Sequence, residues 1–101
     1  MATYLITFSV NLSPTMEDRY NAVVKEIQDS YKTYCQITKT TFCIVSRDSA
    51  KEIRTKLTAK IRGKGRTSAE DGVILIVDVS LCGWASHDLP EKVSDWLDQN
   101  I

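Results

Sequence analysis

Chemistry is densest between Lys51 and Arg66. Seven Lys/Arg (Lys51, Arg54, Lys56, Lys60, Arg62, Lys64 and Arg66) stand there against one acid, Glu52. Lysine and arginine neutralise phosphates, and Gly63 and Gly65 beside them let a backbone approach closely. The segment predicts contact with DNA, RNA or another polyanion, with Lys51, Arg54, Lys60, Arg62, Lys64 and Arg66 as the candidate binding residues. At about 100° per helical residue, Lys51 and Arg54 fall on one flank and Lys56 and Lys60 on the other, so no single basic stripe results. The competing reading is a solvated helix followed by an exposed loop. A protein-interaction module that binds no nucleic acid is the second function class.

Other reactive side chains are sparser. Cys35, Cys43, Cys82 and His87 have the donor types of a zinc site, but Cys82 and His87 make the one near pair, and structural zinc sites bring ligands in close pairs. As nucleophile and base, Cys82 and His87 lack a third group to orient them. Free cysteine behaves mostly as a small hydrophobe, so core and surface roles are expected here. Tyr4 and Phe8 have the alternate spacing that stacks bases, yet they share a face with Ile6 and Val10, which reads as core. Gly63-Lys-Gly65 is too short for a phosphate loop, and no Ser/His/Asp signature occurs. No catalytic residue, metal or cofactor is expected. Trp84, Trp96 and Leu97 are candidate interface anchors, because indole buries a large area.

The elements that position these residues follow from periodicity. Gly72-Val-Ile-Leu-Ile-Val-Asp-Val79 is too short and too β-branched for a helix, and both its faces are apolar, so it predicts a strand covered on both sides. Thr3–Val10 alternates as a strand. Ser13 and Pro14 start a helix with Glu17 and Asp18 in its first turn, and Met16, Tyr20, Val23, Val24, Ile27 and Tyr31 line one face to about Lys32. Tyr34–Ser46 reads as extended; since Lys39 is a poor turn former, one bent strand is slightly favoured over a hairpin. Ser49-Ala-Lys-Glu52 is a capping box ahead of Ile53, Leu57 and Ile61, with Gly63 placed to stop that helix. Pro90 opens a last helix with Leu89, Val93, Trp96, Leu97 and Ile101 on one face, which must dock on the sheet or on a partner. The order strand, helix, strand(s), helix, strand, helix predicts one domain over residues 1–101. Its expected fold is a ferredoxin-like α+β sandwich: an antiparallel sheet, two helices on one face and a C-terminal helix. In that order the last strand is an edge, which a two-fold partner or the last helix should cover.

The formal charge is zero overall but uneven. Residues 67–101 carry seven acids against Lys92 alone, opposite in sign to the basic segment before them. Three cysteines with no close pair argue against a disulfide framework and fit a reducing cytosol. The Met-Ala-Thr-Tyr start lacks the basic region of a signal peptide, and no run is long enough to span a membrane, so a cytoplasmic protein is expected.

Tyr4-Leu-Ile-Thr-Phe-Ser-Val10, Ile37-Thr-Lys-Thr-Thr-Phe42, Ser49-Ala-Lys-Glu-Ile53, the Val-rich strand and Val93-Ser-Asp-Trp-Leu97 together resemble a known family. They are similar to the small CRISPR-associated adaptation proteins of nuclease type, and more closely to that family's stand-alone SinR-like relatives. The resemblance implies a ferredoxin-like fold and a homodimer whose sheets meet across a two-fold axis. It also implies, in catalytic members, an acidic residue at the end of the first strand, paired across that axis to hold a divalent metal. The family's aromatic-Asp pair falls on Phe8-Ser9, and serine is a poor ligand for Mg²⁺. The metal role is therefore not carried onto Ser9, and a nuclease-like protein without metal-dependent cleavage is expected. Asp78 is the rival carboxylate; it is expected to accept hydrogen bonds or to face solvent near the strand end.

Overall fold

The computed structural model describes residues 1–10, 16–62 and 72–101, and only the backbone of Met16, Ile61 and Arg62. In chain order the elements are β1 (Ala2–Val10), α1 (Met16–Ser30), β2 (Thr33–Thr38), β3 (Thr41–Ser46), α2 (Ala50–Arg62), β4 (Gly72–Asp78) and α3 (Glu91–Asn100). The strands form one antiparallel sheet in the order β2-β3-β1-β4. With α1 and α2 on one face, this is a ferredoxin-like α+β sandwich with a third helix appended.

The period-2 pattern of β1 divides the molecule into layers. Tyr4, Ile6 and Phe8 point toward the two helices and are buried with Phe42 and Ile44 of β3, Val23 and Ile27 of α1, and Ile53 and Leu57 of α2. The Phe8 ring lies 6.2 Å from that of Phe42 and 5.9 Å from that of Tyr20. Leu5, between them, points to the opposite face, toward a smaller cluster of Cys43, Val93 and Leu97. At the start of α2 the capping box forms as read: the Glu52 N–H donates to Ser49 Oγ at 3.1 Å, and the Ser49 N–H donates to Glu52 Oε1 at 3.2 Å. The expected cap at Ser13-Pro14 and stop at Gly63 lie outside the described residues.

Three expectations are corrected. Tyr34–Ser46 is a hairpin, β2 against β3, and not one bent strand. Its turn, Lys39-Thr40, has no glycine or asparagine and is held by distant residues. The Phe8 N–H donates to the Thr40 carbonyl at 3.0 Å, and the Tyr20 hydroxyl donates to the Lys39 carbonyl at 2.6 Å. The bend survives as an irregularity of register between Gln36 and Thr38. The second correction is that β4 is not covered on both sides. Among the described residues it pairs with β1 alone, and α2 covers its inner face, Ile74 and Ile76. On its outer face Val73, Leu75 and Val77 are 64%, 55% and 40% exposed. Third, α3 does not cover the free edge of β4. It docks at the other side of the outer face, over Cys35, Ile37, Cys43 and Leu5.

Candidate functional site

The position of α3 leaves the outer face half covered. Residues 79–90 leave β4 and cross back under the start of β1. There the Val79 N–H donates to the Thr3 carbonyl at 2.8 Å, and the Thr3 N–H donates to Ser80 Oγ at 2.9 Å. Thr3 Oγ1 donates to the carbonyl of Asn100, at the far end of α3, at 2.6 Å. The start of the returning segment and the end of α3 are thus tied to one residue of β1. Leu97 is buried in the layer so formed and Trp96 is half-buried beside it, so these two candidate anchors pack within their own chain. Trp84 is 38% exposed and lines an apolar cavity of about 340 Å³ with Leu5, Cys43 and Leu97.

The other half of the outer face is open. By register Val73, Leu75 and Val77 stand beside Ser9, Thr7 and Leu5 of β1. Thr7 Oγ1 lies 3.3 Å from Thr41 Oγ1 of β3. The open half is therefore an apolar row beside a strip of small neutral side chains, with no charged group among the described residues between Ser9 and Val77.

The candidate cations separate. Lys51 and Arg54 are exposed on the flank of α2 that faces β4, where they line a groove of about 260 Å³ with Ala50, Ile74, Leu75 and Ile76. Lys60 is exposed about half a turn around the helix from Lys51. Lys56, on that second flank, is bound to Asp48 at 2.7 Å and lies 5.8 Å from the centre of the Tyr31 ring. The hydrogen bond to Asp48 raises the Lys56 ammonium above its ordinary pKa. Arg62 closes α2 with its side chain outside the description, and Lys64 and Arg66 lie outside the described residues. Of the candidates whose side chains are described, Lys51, Arg54 and Lys60, the first two are brought together. Helical spacing placed them on one flank; that this flank faces β4 had no local signal.

The cysteines and carboxylates are dispersed. Cys43 is buried, and burial, with a smaller contribution from Cys35 opposite it on β2, pushes its thiol up to about 11. That is the environment of a structural thiol and not of a nucleophile. Burial also raises Cys35, while Cys82 is exposed. His87 stands in solvent 3.0 Å from Asp88. Among the described residues, no three His, Cys, Asp or Glu side chains gather as a metal site. Ser9 faces outward opposite Val73, whereas Asp78 is opposite Tyr4. Five residues of β1, roughly 17 Å at a strand's rise, separate the two positions, and they point to opposite faces. Asp78 is exposed and accepts the Ser80 N–H at 2.9 Å, and that bond lowers its carboxyl below the usual range. Asp78 thus takes the expected strand-end role, and it does not replace a carboxylate at Ser9.

No protein-family model matches the chain, and no curated protein does. No described helix is long and apolar enough to cross a membrane.

Proposed function

We propose that this chain is a homodimeric association module, in which the open half of the outer sheet face meets the same half of a second copy. The observation that carries the reading is the exposed row Val73, Leu75 and Val77 on a well-formed strand. A contiguous apolar patch of this kind marks an interaction site more often than bare surface. A second copy suits it because the neighbours Thr7, Ser9 and Thr41 are small and uncharged, so two identical faces meet without like-charge repulsion. The family resemblance, with its sheets meeting across a two-fold axis, supports the same assembly. Light scattering over a concentration series tests it. The wild type is expected to dimerise, and Val73→Gln with Val77→Gln to be monomeric. At roughly 1 kcal/mol per partly exposed valine, four valines lost from a two-fold interface weaken association about a thousandfold. A wild type that stays monomeric at high micromolar concentration overturns the reading.

The surplus of cations over Lys51–Arg66 favours a second reading, contact with DNA or RNA phosphates. If about four phosphates are neutralised, the log–log salt slope is roughly −3 to −4. Replacing Arg62, Lys64 and Arg66 together by Ala should then weaken binding to all sequences alike. Retention unaffected by that triple substitution removes the reading.

A further inference from the structure

The edge of β4 is a different surface from its outer face. Among the described residues, β4 is the last strand of the sheet and pairs with β1 on one side only. Along its other side, alternate backbone N–H and C=O groups have no ladder partner among the described residues, which is the template onto which an added strand pairs. Natural edges are commonly blunted by proline, by a bulge or by inward-pointing charge. The residues from Gly72 to Asp78 contain no proline, their pairing with β1 is regular throughout, and the residues between the two ends are all apolar. Among the described residues, nothing pairs with this edge along its length.

What such a strand should carry is set by α2. Lys51 and Arg54 overhang the middle of this edge, lining the groove formed with Ile74, Leu75 and Ile76. Among the described residues neither is in an ion pair, whereas Lys56 on the opposite flank is held by Asp48. A strand added here would present every second side chain to the groove, beneath two cations and against isoleucine methyl groups. A second copy of β4 is a poor occupant. Pairing two such edges about a two-fold axis at Leu75 brings the Lys51 and Arg54 of both copies toward each other; Ile74 and Ile76 bring no negative charge to them, and Asp78, on the same face, falls at the end of the pairing opposite Gly72 with its carboxylate already bonded to the Ser80 N–H. A nucleic acid would satisfy the cations but would leave the backbone edge unpaired and would meet isoleucine side chains.

We infer that the β4 edge and the Lys51–Arg54 flank of α2 form a strand-addition site for an extended acidic peptide segment of a partner protein. Backbone pairing to β4 supplies the register, and carboxylates at alternate positions meet Lys51 and Arg54. The site meets the outer-face row at Leu75, whereas Val73 and Val77 do not line it.

The probe is a fluorescent peptide of about seven residues, the length of an ordinary strand, with glutamate alternating with valine. It is titrated with the full chain at low salt and followed by polarisation. Three comparison peptides carry glutamine for glutamate, lysine for glutamate, or N-methyl groups on alternate amides. The acidic peptide is expected to bind, the glutamine peptide about tenfold more weakly, and the lysine and N-methylated peptides more weakly still. The double variant Lys51→Glu, Arg54→Glu should reverse the order of the acidic and lysine peptides. Acidic side chains early in a helix are favoured, so that variant is expected to fold. The Val73→Gln, Val77→Gln variant should keep the wild-type order, which separates failure of this site from failure of the dimer. The inference is overturned if the glutamine or N-methylated peptide binds as well as the acidic one, if the charge swap leaves the order unchanged, or if a mixed-sequence oligonucleotide binds at Lys51 and Arg54 while the acidic peptide does not.

Discussion

Tyr31 sits at the junction of α1 and β2 with its ring buried and its hydroxyl without a hydrogen-bond partner among the described residues. The Lys56 ammonium lies over the ring, 5.8 Å from its centre, and is occupied by Asp48. A buried hydroxyl left unpaired costs about 1–3 kcal/mol, whereas the cation over the ring needs only the aromatic face. Tyr31→Phe keeps that face and removes the orphaned oxygen. It is expected to stabilise the fold by about 1 kcal/mol in urea unfolding, and a loss of stability would show that the hydroxyl has a partner in solution. Ser9 illustrates the reverse case, a residue legible from its type alone. Its neutral hydroxyl makes it a poor ligand for Mg²⁺, and the register adds that Val73 and Thr7 are its neighbours.

Among the elements, α2 is the one whose beginning depends most visibly on two side chains. Ser49 and Glu52 each satisfy the other's backbone N–H, so removing Ser49 Oγ leaves one of the helix's first donors to water. Ser49→Ala should cost about 1 kcal/mol in denaturant unfolding, and Ser49→Asp should recover most of it. Equal stability of the wild type and Ser49→Ala would mean that the start of α2 is held by its packing on β4 alone. The β2–β3 hairpin behaves differently. Its turn residues have weak local preference, and the bonds from Phe8 and Tyr20 hold it, so a local reading favoured continuation of the strand.

For the molecule as a whole, three raised groups, Cys43, Tyr31 and Lys56, weaken the fold toward alkaline pH. In the folded chain Cys43 titrates at about 11 against an ordinary 9.0, and burial raises Tyr31 as well. Both groups stay protonated in the fold at pH values where the unfolded chain has begun to release the proton. The unfolded state then binds fewer protons, and stability falls as pH rises from about 9 toward 11. Lys56 acts in the same direction: its raised folded pKa lends stability below its ordinary value, and this is lost as pH rises through the folded value. Melting temperature is expected to drop across that interval, and Cys43→Ala, though less stable at neutral pH, should show a shallower drop. An unchanged slope in Cys43→Ala would place the alkaline loss elsewhere.

Local physics carried the element types. Alternation made Thr3–Val10 and the Gly72 run strands, the spacing of Val23 and Ile27 and of Ile53 and Leu57 made helices with one buried stripe, and Ser49-Glu52 marked a helix start. These are properties of a few neighbouring residues, and a side chain's chemistry states them directly. Which surfaces stay open was decided by contacts far apart in the chain. The return segment tied at Thr3 sets α3 over Cys35 and Cys43, so Val73, Leu75 and Val77 remain bare. The packing of α2 on β4 turns the Lys51–Arg54 flank, and not the Lys56 flank, toward the free edge. An apolar run looks the same in sequence whether a helix covers it or leaves it exposed. Covering is a choice among distant partners that competing long-range contacts make, and no short window of residues contains it.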